Sequence, residues 1–175
     1  MQIRPARLDD AEALAAMLKV YLAEMGLGHP GSTAEELRRD VLSGDAGQRV
    51  LVAERGGRLI GLISWDRAYD MHWAARGAQI ADLYVEPASR GHGVALALVI
   101  ALCAEARREG AAFLRGDSYD RSSPTGRFYE RIAVGFDSAE CSCGGRAFRH
   151  LAELHGQPIR TILRNLPRRE WNFEP

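Results

Sequence analysis

The chain has 175 residues, with 23 Lys and Arg balanced by 23 Asp and Glu. That zero net charge argues against the basic surplus of a nucleic-acid binder or a polybasic membrane anchor, so neither partner is expected. Hydrophobic residues at 46% and charged ones at 26% fit one folded domain over 1–175, with the tail 165–175 expected to be less ordered. Cys103, Cys141 and Cys143 are too few and too uneven for a disulfide scaffold, and the polar start carries no export signal. A cytoplasmic protein is the expectation.

In chain order, Ile3 to Pro5 reads as a short strand and Asp9 as the N-cap of a first amphipathic helix. Ala13, Leu14, Met17, Leu18, Tyr21 and Leu22 recur at helical spacing, and Gly26 to Pro30 ends the pattern. Ser32 or Thr33 with Glu36 resembles a capping box opening a second helix through Leu42. Arg49–Glu54 and Arg58–Trp65 are strand-like, and Gly56-Gly57 between them signals a tight hairpin. A third strand is expected from Gly77 to Val85, after a segment dense in aromatics and charges.

Val94 to Cys103 is almost wholly apolar and reads as a helix buried on most sides at its start, stopped at Gly110. Ala112–Gly116 suggests a strand, Ser122-Ser123-Pro124 a helix start, and Thr125–Ala133 the helix. A strand from Phe136, a short helix over Ala147–Leu154 and a last strand over Ile159–Leu163 follow. The order gives a mixed-sheet α/β (α+β) domain rather than an all-parallel one.

The stretch from Ala81 to Leu96 joins a strand to a buried helix through a tight loop holding Arg90, Gly91, His92 and Gly93. Helix-start N–H groups lack internal partners and sit at the positive end of the macrodipole, so such a loop suits a pyrophosphate. Leu96 stands where a dinucleotide fingerprint needs its third glycine, which weakens a nicotinamide reading. The bland alternative is a glycine turn with no ligand. Cys141, Cys143, His150 and His155 fit no common zinc spacing, so no metal is expected.

Arg90, Gly93 and Ala95 resemble the acetyl-CoA loop of the GCN5-related N-acetyltransferase (GNAT) family, and Leu83-Tyr84-Val85-Glu86-Pro87 resembles the strand leading into it. Phe128-Tyr129-Glu130 with Gly135-Phe136 resembles that family's second signature, Ser122 standing at its helix-capping position. The resemblance implies a mostly antiparallel sheet flanked by helices and acetyl-CoA as co-substrate. It implies that Leu83, Tyr84 and Val85 meet the pantetheine arm, that Arg90, Gly91, His92, Gly93, Val94 and Ala95 hold the pyrophosphate, and that the amine attacks the thioester directly.

The chemistry needs a base for the amine and an acid for the departing thiolate. Tyr129 is the acid candidate, Asp82 the first base candidate and Glu86 the second, each set against an ordinary packing or surface role. Trp65, Tyr69 and Trp73, with Asp66 and Asp70 among them, could bind a cationic amine through ring faces; a hairpin tip covering the core or a subunit contact is equally open. This region looks similar to the diamine or polyamine acetyltransferase branch, although Ala81 replaces an acidic residue usual there. A small-molecule amine is the expected acceptor, a protein amine or a non-catalytic acyl-CoA sensor the alternatives, and a homodimer is implied by the resemblance.

Overall fold

The computed structural model describes residues 1–44, 46–116, 122–132, 153–154 and 158–165, which fall in two compact units, Met1–Tyr119 and Asp120–Pro175. The first unit carries a five-stranded sheet in the order β1 (Gln2–Pro5), β2 (Arg49–Arg55), β3 (Arg58–Asp70), β4 (Ala75–Val85), β5 (Phe113–Arg115). Every pairing is antiparallel except the parallel β4–β5 contact. This is an α/β architecture, a mostly antiparallel sheet flanked by helices, as the resemblance implied.

Alternation along the strands sorts the core into two faces. Val52, Leu62 and Tyr84 lie opposite one another and pack with Leu14 and Met17 of helix α1 (Ala11–Glu24). The other face receives helix α3 (Val94–Arg108), whose buried residues Val94, Leu98, Val99, Leu102 and Ala106 form one stripe. Leu96 and Ile100 of α3 are exposed, so the expected burial on most sides shrinks to that stripe. Gly61 faces α3 in a tight place: a Cβ there would lie 2.9 Å from the Tyr84 carbonyl of β4 and 3.4 Å from Leu98 of α3.

Local rules account for most boundaries. Gly56 and Gly57 have φ of +58° and +76°, the type I′ geometry that matches strand twist. The capping box is present: the Glu36 N–H donates to Thr33 Oγ1 and the Thr33 N–H to Glu36 Oε2. The helix it opens, α2 (Ala34–Glu36), continues as π-helical turns over Leu37–Leu42.

The cap of α1 is Asp10 rather than Asp9, which lies inside a 3₁₀ turn over Leu8–Asp10. Asp10 is claimed by tertiary structure: Arg4 grips both its oxygens at 2.7 and 2.9 Å and bonds Glu54 at 2.7 Å through Nε. The Arg4 fork, together with the Arg7 N–H, holds the Asp10 carboxyl below its usual range against the opposing effect of burial. A lowered folded-state pKa means stabilisation that is complete above the unfolded value, near 4, and is lost as pH falls through the folded one. Arg4→Ala is expected to cost about 2–3 kcal/mol at pH 7, between exposed and buried pairs, and less below pH 4. Urea unfolding at pH 7 and pH 3 measures both.

Strand β3 runs past the expected end at Trp65 to Asp70, and β4 starts at Ala75, close to the expected Gly77. β2 reaches only to the position opposite Trp65, while β5 pairs with Gly77–Gln79, the residues opposite Asp66–Ala68, so only Tyr69–Arg76 forms a two-stranded arm beyond the sheet. Asp70, 8% exposed, closes the turn by accepting from the N–H groups of His72 and Trp73, and it pairs with Arg115 of β5. That pairing and the turn N–H groups leave its carboxyl pKa lowered, against the opposing effect of burial.

In the second unit, helix α4 covers Pro124–Glu130. Its cap is Ser123, not Ser122: Ser123 Oγ accepts from the Gly126 N–H at 3.0 Å. Ile159–Arg164 is a helix where a strand was expected. The expected strand from Phe136, most of the expected helix over Ala147–Leu154, the tail, and Cys141, Cys143, His150 and His155 lie outside the described residues. Among the described residues no helix is long and apolar enough to cross a membrane.

Candidate active site

The end of β4 is built to receive another chain along its edge. The Glu86 N–H donates to the Ile60 carbonyl at 3.0 Å, flanking the opposed pair Gly61–Val85. In an antiparallel ladder this makes Gly61–Val85 a non-hydrogen-bonded pair, and Ile63–Leu83, two residues back, is in the same phase. The N–H and C=O groups of Leu83 and Val85 therefore turn away from β3, toward the β5 side. There β5, as described, covers only Gly77–Gln79. The strand leaves a stretch of open ladder.

That edge runs into the glycine loop. Gly91 and Gly93 have φ of +75° and +76°, and a Cβ on either would meet nothing within 4 Å. Gly93 is the N-cap of α3, and its carbonyl accepts the Ala97 N–H at 3.0 Å. The N–H groups of Val94, Ala95 and Leu96 thus stand at the helix start without intrahelical partners. The His92 ring bonds the Arg90 carbonyl at 2.7 Å through Nδ1. A carbonyl only accepts, so Nδ1 carries the proton and the ring braces the loop. The open edge can pair with the amides of an extended arm, and the open loop and helix start can receive a diphosphate.

Arg90 is placed otherwise than a phosphate-binding side chain. Its Nε donates to the Val85 carbonyl at 2.8 Å, its Nη2 pairs with Glu24 at 2.5 Å, and its Cζ lies 5.6 Å from the Tyr84 ring centre. Tyr84 is 3% exposed, its hydroxyl 3.5 Å from the other Glu24 oxygen and its ring 5.5 Å from Tyr21. Burial, reinforced by Glu24, pushes the Tyr84 phenol up, so it remains a donor at neutral pH.

Asp82 and Tyr84 share the α1 face of β4, as their spacing implied. Asp82 is half-buried, and the buried Ser64 opposite it donates to Oδ2 at 2.8 Å. Sequence reading missed Ser64 and Glu24. A single serine between Ile63 and Trp65 in the apolar run from Leu59, facing an acid across the ladder, was the available signal for the first. Glu86 is paired with Arg58 at 2.7 Å and so is already neutralised.

The three candidate rings are not brought together. Trp65 is 2% exposed, filling the core on the α3 face, whereas Tyr69 and Trp73 are 60% and 81% exposed on the arm. Asp66 and Asp70 alternate with Tyr69 and fall on the other face of β3, and Asp70 is committed to the turn. Trp65 is thus a packing residue in this structure. Tyr129 lies in the second unit, half-buried on α4, its ring 5.5 Å from that of Phe128.

If the loop receives a diphosphate, Gly93→Val should weaken coenzyme A binding at least about tenfold. A β-branched residue at φ +76° costs about 1–2 kcal/mol and turns the helix-start N–H groups aside. Calorimetric titration reads this; unchanged affinity would remove the diphosphate from the loop.

No curated protein matches the chain. Solved structures match its fold. A ribosomal-protein-alanine N-acetyltransferase from Brucella melitensis biovar Abortus 2308 is similar at 24% identity and TM-score 0.65, over 82% of this chain and 99% of that one. An integron cassette protein from the mobile metagenome of V. cholerae is similar at 18% identity and TM-score 0.72, over 87% and 97%. An aminoglycoside acetyltransferase from an uncultured soil metagenomic sample is similar at 15% identity and TM-score 0.66, over 81% and 93%. The profile of the Acetyltransferase (GNAT) family matches residues 14–136, covering α1 from Leu14, strands β2 to β5, the loop and α4. With that match over more than half its length, on the fold and beside the open edge just described, the chain belongs to the GNAT acetyltransferase family.

Proposed function

We propose that the protein transfers the acetyl group of acetyl-CoA to the primary amine of a small molecule, by direct attack of the amine on the thioester carbonyl. The observation that carries this reading is the edge at Leu83 and Val85, without a strand partner among the described residues, running into the loop at Gly91 and Gly93. In it, the backbone of Leu83 and Val85 aligns the carrier arm and the stretch from Arg90 to Ala95 holds the diphosphate. Acetyl-CoA supplies the activated acetyl group and the leaving thiolate. Asp82, fixed by Ser64, takes the proton of the incoming amine directly or through one water. Glu86, tied to Arg58, is the weaker candidate. Tyr129 gives a proton to the departing sulfur.

Tyr69 and Trp73 are the arm residues left to meet an acceptor, since Trp65 is enclosed. Ring faces suit an alkylammonium. The test is release of free thiol from acetyl-CoA against polyamines, aminoglycosides, amino acids and short peptides. Turnover with one small-amine class is expected. Turnover with peptides alone overturns the small-molecule acceptor, and saturable coenzyme A binding with no turnover on any amine favours a sensor.

A further inference from the structure

The loop arginine points the wrong way for an anion. Although Arg90 adjoins Gly91 and Gly93, its guanidinium bends back across the Tyr84 ring and is used up within the chain. Two of its contacts matter. Nε sits on the Val85 carbonyl, one of the edge groups available to a carrier arm, and Nη2 sits on Glu24 at the last turn of α1. A carboxylate at a helix C-terminus is poorly placed with respect to the macrodipole, and nothing else in its own turn offsets it. Arg90 supplies the missing cation, and Tyr84 adds a hydroxyl 3.5 Å away.

We infer that Glu24 is a positioning residue that sets coenzyme A affinity by holding Arg90 off the loop and on the Val85 carbonyl. This inference rests on the acetyl-CoA reading of the loop. An incoming diphosphate competes with one carboxylate for the same guanidinium, and the arm competes with Arg90 for the same carbonyl. Arg90 and Glu24 are 48% and 36% exposed, so the bridge is screened by water and is weak enough to exchange. Glu24 therefore tunes affinity rather than forbidding binding.

Calorimetric titration of coenzyme A and of pantetheine, which lacks the diphosphate, tests this on the full chain. Glu24→Gln keeps the side-chain shape and Glu24→Ala removes it; melting temperatures report folding. Both variants are expected to bind coenzyme A about three- to fivefold more tightly, the range of one exposed ion pair, with a smaller change for pantetheine. Arg90→Ala is expected to abolish the effect, so that the double variant binds like Arg90→Ala alone. Unchanged or weaker coenzyme A binding in both Glu24 variants overturns the inference while leaving the acetyl-CoA reading intact. Equal gains for the two probes, or a gain that survives Arg90→Ala, overturn it as well. Wild-type protein that binds no coenzyme A overturns the reading of the loop and the inference together.

Discussion

Asp82→Asn should lower kcat/KM for the amine by about 10²–10⁴-fold at neutral pH, the range of a lost general base, while leaving coenzyme A affinity within about twofold. The amide keeps the shape of the carboxylate and can still accept from Ser64 Oγ, so the local packing of β3 on β4 survives. What it loses is the ability to take a proton. Alkylamines titrate near pH 10, so almost all acceptor is protonated at pH 7 and must be deprotonated to attack. The deficit should therefore narrow as pH rises toward 10, where free amine is supplied by solvent. A variant within threefold of wild type at pH 7 would remove Asp82 from the base role. A deficit constant across pH would make it a binding group for the ammonium. Glu86→Gln serves as the comparison: its carboxylate is already paired with Arg58, and its effect should be several-fold at most.

How much of this was legible in the sequence depends on whether a feature is local. Gly56-Gly57 and the Thr33–Glu36 box are written in adjacent residues whose backbone angles or reciprocal hydrogen bonds admit few alternatives, and both were found in place. The same holds for the run from β4 through the loop into α3, because glycines at a helix start and an apolar helix face are local signals. The hairpin tip held open for the segment after Trp65 is what the structure shows, but its extent is set by pairing between strands. Asp66–Arg76 shows no apolar alternation, because most of its side chains are exposed, so sequence periodicity carries no sign of where its strands end.

Trp65 shows the reverse error. It was grouped with nearby aromatics, whereas the sheet covers it and leaves Tyr69 and Trp73 outside. Glu24 and Ser64 were missed because their partners, Arg90 and Asp82, are 66 and 18 residues away. Ile159–Leu163 read as a strand from its composition, yet a short apolar run does not distinguish strand from helix.

Tyr129→Phe should reduce kcat by about 10²-fold with coenzyme A affinity unchanged within about twofold. Phenylalanine keeps the ring and its contact with Phe128, and the Ser123 cap that starts α4 is untouched. Only the hydroxyl goes. A phenol with an ordinary pKa near 10 is protonated at pH 7, while the thiol it would regenerate titrates near 8.5, so the transfer is uphill by only about 2 kcal/mol. That is affordable for a step in which the thiolate is already forming. The proposed acid role also makes the size of the loss depend on the leaving group. A thioester of a more acidic thiol departs as thiolate without help, so the deficit of Tyr129→Phe should shrink with such a donor. The deficit of Asp82→Asn, which acts on the amine, should not. Equal deficits of Tyr129→Phe with both donors would assign Tyr129 to packing or positioning on α4, and an unimpaired variant would leave protonation of the sulfur to solvent.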